Sequence, residues 1–317
     1  MYHSKKIVQE YVTCSEGNTF IIYSQNLLSS ESKIKIDSTS IVMENNNTKN
    51  YNNENEILLF LHGLNGSSYQ FENLFSHLIH SNYKFMSLDL YGHGKSTLLK
   101  NLNKYTEKLY IEQIYDVLKK KNIFNSNFVI IGFSMGCIIA AHLSIDNKIK
   151  IKKLCLISAA GLAKPKHRFL QFLLKHNIRF CLRVAKKYSH LIVSEDSIKS
   201  EYFDYHNNIE DVNKRYLILK ENHEKFMETF LKVITGTKIQ NSKKYYSAFL
   251  KKNHEVLFIY GKDDNITPCI YTLKFLEKHE KYLNNVKVAI FPECSHLVLS
   301  EKCNELIKHL IYFLQNK

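Results

Sequence analysis

Short apolar runs alternate with helical stripes along most of the chain. Residues 57–61, 84–90, 128–131, 153–158, 256–260 and 286–291 are brief runs bounded by loops, apolar on both faces, and each predicts a buried strand. Between them, Phe71, Leu74, Phe75, Leu78 and Ile79, then Tyr110, Ile114 and Leu118, recur at helical spacing. Helices are also predicted near 270–278 and over 303–314. At the N-terminal end, residues 7–12 and 20–23 flank Ser15-Glu16-Gly17-Asn18 and predict a β-hairpin. Strands that are apolar on both faces and alternate with helices predict an α/β fold, a mostly parallel sheet with helices on both sides.

Two stretches break the rhythm. Residues 29–55 turn polar and end in an asparagine-rich run, which reads as a disordered surface insertion. Residues 162–253 carry helical periodicity and no strong strand, which reads as an inserted helical cap between two parts of a core domain, 1–161 and 254–317. Within the cap, 164–187 holds eight basic residues and no acidic one, with Phe169, Phe172, Leu173, Phe180 and Leu182 interleaved. The favoured reading is a cap helix laying an apolar stripe on the core with its lysines in water. The competing one is transient docking on an anionic membrane surface.

With 317 residues, 44% of them apolar, the chain is long enough for one α/β domain with an insertion or for two domains. Heavy use of lysine, asparagine and isoleucine looks like the bias of an A+T-rich coding genome. The formal charge of +14 comes from lysines scattered over every segment, which argues for a solvated surface and against a nucleic-acid partner. The seven cysteines include no Cys-x-x-Cys pair and suit free thiols in a reducing compartment. They suggest neither a zinc site nor a disulfide framework. No apolar leader or stretch of membrane-spanning length is evident, so a soluble, cytoplasmic protein is expected.

Chemistry concentrates in the loops after strands. Gly132-Phe133-Ser134-Met135-Gly136 joins an apolar run to Cys137-Ile138-Ile139-Ala140-Ala141, a strand-to-helix turn of the Gly-x-Ser-x-Gly type. The pentapeptide alone is expected by chance in roughly one such chain in forty, so its partners must carry the argument. Seven of only ten glycines lie in four such loops. His62-Gly63-Leu64-Asn65-Gly66 is placed to aim the Leu64 N–H, with that of Met135, at an oxyanion. Asp89 and His93 follow the next strand and are read as structural. Asp263 and Asp264 follow the 256–260 run, and the residues alone leave open which is the acid. His296 follows the last strand, and Ser134, an aspartate and His296 stand in one chain order.

At this point nearly the whole chain resembles the α/β-hydrolase superfamily, apart from the 29–55 insertion and the variable cap. The resemblance implies Ser134 as nucleophile and His296 as general base. It favours Asp264 as the acid, because the family's Gly-x-x-Asp with Pro four residues later falls on Gly261, Asp264 and Pro268. It matches Leu64 and Met135 to the oxyanion hole and implies no cofactor or metal. Two positions depart from the pattern: Cys137 stands where many members have glycine, and Ser295 precedes the histidine where glycine is common. A serine rather than a carboxylate as nucleophile disfavours epoxide and carbon–halogen cleavage. The branches most similar are monoglyceride lipases, lysophospholipases and carboxylesterases, which implies a small-molecule or lipid ester substrate. Thioesters or amides are the alternative with the same triad, and a non-catalytic ligand-binding homologue is a further one. Acyl chain length and oligomeric state are not written in these motifs.

Overall fold

The computed structural model describes residues 6–28, 56–163, 180, 181, 183, 184, 187, 194–239 and 241–316. The polar insertion predicted at 29–55, and most of the basic segment at 164–187, lie outside them.

Eight strands form one sheet in the order β1-β2-β4-β3-β5-β6-β7-β8. They are β1 (Ile7–Thr13), β2 (Asn18–Ser24), β3 (Glu56–Leu61), β4 (Lys84–Leu88), β5 (Asn127–Phe133), β6 (Lys150–Ile157), β7 (Glu255–Gly261) and β8 (Val286–Phe291). The hairpin β1–β2 joins antiparallel to β4, and every other pairing is parallel. Parallel neighbours need crossovers, and the helices that supply them cover both faces. Among the described residues the helices, the last two of which follow the final strand, are α1 (Glu72–His80), α2 (Glu107–Lys120), α3 (Met135–Asp146), α4 (Glu195–Lys199), α5 (Ile209–Glu221), α6 (His223–Gly236), α7 (Lys243–Leu250), α8 (Cys269–Glu277), α9 (Val298–Glu301) and α10 (Cys303–Gln315).

Alternation along each strand splits the core in two. Leu59, Leu61, Ile130, Leu154, Leu156 and Phe258 face one way, where α2, α3, α7 and α8 cover them. Leu58, Phe60, Val129, Ile131, Cys155 and Leu257 face the other way and meet α1 and α10. Helix α7 lies in the insertion between β6 and β7, yet Tyr246, Phe249 and Leu250 are buried in the same core as α3.

Two strand expectations change. The run predicted over 84–90 ends its strand at Leu88, because the next two residues bond elsewhere. The Asp89 carboxylate accepts the Ser68 and Lys95 N–H groups at 2.7 and 2.8 Å, and the Leu90 N–H donates to His62 Nε2 at 2.9 Å. Strand β8 is not buried on both faces as expected. It lies at the sheet edge, where Val288 and Ile290 are each 38% exposed.

Candidate active site

Four loops at the carboxyl ends of β3, β5, β7 and β8 meet above the sheet, where parallel α/β sheets place their sites. After β5 the chain turns into α3 so sharply that Ser134 takes φ 50°, ψ −111°. That is a conformation costing a non-glycine residue about 1–3 kcal/mol. The turn exists because its flanking glycines permit close approach. A Cβ on Gly136 would lie 2.0 Å from the Leu61 carbonyl oxygen, and one on Gly132 would lie 2.8 Å from the Cys137 nitrogen. The Cys137 side chain fits the helix start by bonding the Gly132 and Ile157 carbonyls at 3.2 and 3.4 Å.

The three side chains expected to act together are brought together. His296 Nε2 is 3.2 Å from Ser134 Oγ, and His296 Nδ1 is 2.9 Å from Asp264 Oδ2. Asp264 and His296 are both buried, whereas Asp263 points to solvent. Both roles that the sequence offers a loop aspartate are filled by Asp264. Oδ1 accepts its own loop's Ile266 and Thr267 N–H groups at 2.8 Å each, and Oδ2 faces His296. Burial pushes the Asp264 carboxyl up, but the His296 hydrogen bond and charge and the Thr267 bonds outweigh it and hold it below the usual carboxylate range. Asp264 is therefore an anion at neutral pH.

Leu64, after β3, and Met135, the first residue of α3, both line a cavity of about 340 Å³ into which Ser134 and His296 open. Phe133, Phe230, Ile239, Tyr271 and Leu297 make much of its wall apolar. The loop carrying Leu64 is braced by the Gly63 N–H, which donates to Gln70 Oε1 at 3.1 Å. Asp89 and His93, read as structural, are buried outside this cluster. Asp89 ties two loop N–H groups together, and the His93 ring packs against His62 at 5.0 Å between centroids, their planes tilted by 58°.

Several residues around the site were not expected from the sequence. Thr267 donates to Asp264 Oδ2 at 2.6 Å and sits 3.2 Å from His296 Nδ1; its spacing three residues after the aspartate was the available signal. Glu301 takes the Ser295 N–H on one oxygen at 2.8 Å and the Phe203 and Asp204 N–H groups on the other at 2.6 and 3.1 Å. It thus joins the histidine loop to the insertion, as does the His296 N–H bonded to the Glu201 carbonyl at 3.2 Å. Arg215 pairs with Glu201 at 2.5 Å and with the Tyr202 hydroxyl at 3.3 Å. Burial disfavours the guanidinium charge, but Glu201 and Tyr202 more than restore it. Asp211 accepts hydroxyls from Tyr202 at 2.6 Å, from Ser300 at 2.7 Å and from Tyr69.

Comparison with known proteins agrees with this architecture. A family model described as alpha/beta hydrolase fold matches residues 56–302. The 2-hydroxy-6-oxo-6-(2'-aminophenyl)hexa-2,4-dienoic acid hydrolase of Metapseudomonas resinovorans is 23% identical over 240 residues, 74% of this chain and 75% of that protein. The pimeloyl-[acyl-carrier protein] methyl ester esterase of Wigglesworthia glossinidia brevipalpis is 26% identical over 269 residues, 81% of this chain and 93% of the other. Among solved structures, a thermophilic esterase from Thermogutta terrifontis superposes with a TM-score of 0.70 at 14% identity, covering 97% of this chain and 98% of that one. With the sheet order, the turn at Ser134 and a family match over well more than half its length, the chain belongs to the alpha/beta hydrolase fold family.

Proposed function

We propose that the protein hydrolyses carboxylic esters, of a lipid or acylglycerol type, through an acyl-enzyme on Ser134. The observation that carries this reading is the continuous hydrogen-bonded line from Asp264 through His296 to Ser134, at 2.9 and 3.2 Å. His296 takes the hydroxyl proton as Ser134 Oγ attacks the ester carbonyl. The Asp264 anion keeps the proton of the neutral ring on Nδ1 and stabilises the imidazolium that forms. The tetrahedral oxyanion is held by the N–H groups of Leu64 and Met135. When the intermediate collapses, His296 hands its proton to the departing alcohol. Water then gives a proton to His296, attacks the acyl carbonyl, and releases the acid with Ser134 restored.

The apolar cavity walls suit an acyl chain, and of the two curated relatives one is named a methyl ester esterase, which supports ester chemistry, while the other is named a hydrolase, which supports hydrolysis alone. All seven cysteines are unpaired, which supports a reducing compartment such as the cytoplasm. Among the described residues no helix is long and apolar enough to cross a membrane. Turnover of p-nitrophenyl esters over a range of acyl lengths tests the reading. Ser134→Ala should lower kcat by roughly 10⁶ at an unchanged Tm. Undiminished turnover in that variant refutes it.

A further inference from the structure

A second, smaller cavity of about 90 Å³ adjoins the catalytic one and shares Asn65, Gln70 and Arg215 with it. It lies between the loop after β3, the Gly92-His93-Gly94 loop after β4, and helices α5 and α6. Its size suits a compact head group, whereas the larger cavity suits an acyl chain.

The charges lining this space have one sign. Among the described residues Arg215 and Lys225 contribute charge to the wall, and no carboxylate does. The Arg215 charge is balanced by Glu201. The Lys225 charge is not balanced in that way. Its ammonium is held by two neutral carbonyls, Gly94 at 2.7 Å and Ser96 at 3.0 Å, and among the described residues no carboxylate is in ion-pair contact with it. The nearby Asp89 carboxylate is committed to the Ser68 and Lys95 N–H groups. An ammonium has three donors, so one is left after the two carbonyls. Burial disfavours the Lys225 charge more than the Asp89 charge supports it, so a bound anion would relieve that cost.

Among the described residues, two polar atoms there have no hydrogen-bond partner. His93 is 4% exposed and lines the cavity; its Nδ1 faces the Tyr91 carbonyl at 3.1 Å while its Nε2 has no hydrogen-bond partner. With the proton on Nδ1, Nε2 is an acceptor for a hydroxyl. Asn65 Oδ1 is buried and unpartnered too, and an amide that turns over presents an N–H₂ instead.

We propose that this side cavity is a subsite for an anionic group, a phosphate or a carboxylate carried by the ester, with Lys225 as its principal cation and Arg215 beside it. The substrate class is then esters bearing a negative charge near the scissile bond, which deepens and rests on the esterase reading. The charge sits either on the alcohol side or on the acyl side, and matched substrates separate the two. One pair is a monoacylglycerol against the 1-acyl-glycerol 3-phosphate of the same chain. The other is methyl hexanoate against monomethyl adipate.

For each pair the readout is the ratio of kcat/KM, charged over neutral, for the wild type, Lys225→Met, Lys225→Arg and Asn222→Asp, which sets a carboxylate at the cavity wall. The wild type should favour the charged member of one pair. That ratio should fall at least tenfold in Lys225→Met, chiefly through KM, be largely kept in Lys225→Arg, and fall in Asn222→Asp even if Lys225→Met does not fold. A ratio indifferent to all three substitutions, or losses equal for both members of a pair, overturns the subsite while leaving the esterase reading intact. Failure of the wild type to hydrolyse any of the four esters overturns both.

Discussion

The loops after the parallel strands and the helical insertion above them meet across one cavity, yet they are held by different forces. The loops are fixed by backbone. The Ser134 N–H donates to the Ile157 carbonyl at 2.9 Å, that of Ser158 to Ile259 at 2.8 Å, and Gly136 abuts Leu61 so closely that a side chain has no room. The insertion packs Tyr246, Phe249 and Leu250 of α7 into the core, and beside the histidine loop it is tied down by carboxylates. Glu301 and Asp211 collect donors from both sides of the seam, and Glu201 neutralises Arg215 between them. Chemistry that needs sub-ångström placement is thus built on the rigid sheet. We propose that selectivity lies with the roof that α5 and α6 form over the cavity.

That contrast predicts graded effects. Asp264→Asn should lower kcat by about 10⁴ through the wrong histidine tautomer, whereas exposed Asp263→Asn should leave it within about twofold; equal losses would break the assignment. Gly136→Ala should strike the fold rather than the chemistry, at about 3 kcal/mol, or roughly 6–12 °C in Tm by calorimetry. Glu301→Gln keeps an oxygen but loses charge-assisted acceptance, so kcat/KM should fall about tenfold with Tm lowered only a few degrees.

The smallest effect is expected at Asp211. Burial pushes its carboxyl up, but bonds from Tyr202, Tyr69 and Ser300 and the Arg215 charge outweigh that and lower it. A carboxyl with a lowered native pKa stabilises fully above the ordinary carboxylate range and loses that contribution as pH falls through the native value. The Tm gap between wild type and Asp211→Asn should therefore be widest near neutral pH and close below about pH 4. A gap that widens in acid would contradict this.

Much of the sheet was legible because burial on both faces leaves short apolar runs. The 286–291 run was right as a strand and wrong in burial, since an edge position is a property of the whole sheet and not of six residues. The run at 84–90 overreached by two residues because Asp89 and Leu90 are claimed by partners 21 and 28 positions away. The meeting of Ser134 and His296 was legible from glycine spacing and chain order. The choice of Asp264 over Asp263 needed the family pattern, because only the turn after β7 decides which of two neighbours points inward. Arg215, Glu201 and Lys225 were not legible. Helical periodicity reports which face of a helix is apolar, and nothing in it pairs a charge on one helix with a carbonyl in a distant loop.

Labelling with a fluorophosphonate probe, mapped by peptide mass spectrometry, tests the activated nucleophile most directly, because only a serine primed by its histidine reacts quickly. Stoichiometric modification at Ser134 is expected, abolished in Ser134→Ala and sharply slowed in Asp264→Asn. A protein that stays unlabelled, or is labelled on a different residue, would contradict the assignment of Ser134, His296 and Asp264 as a working triad.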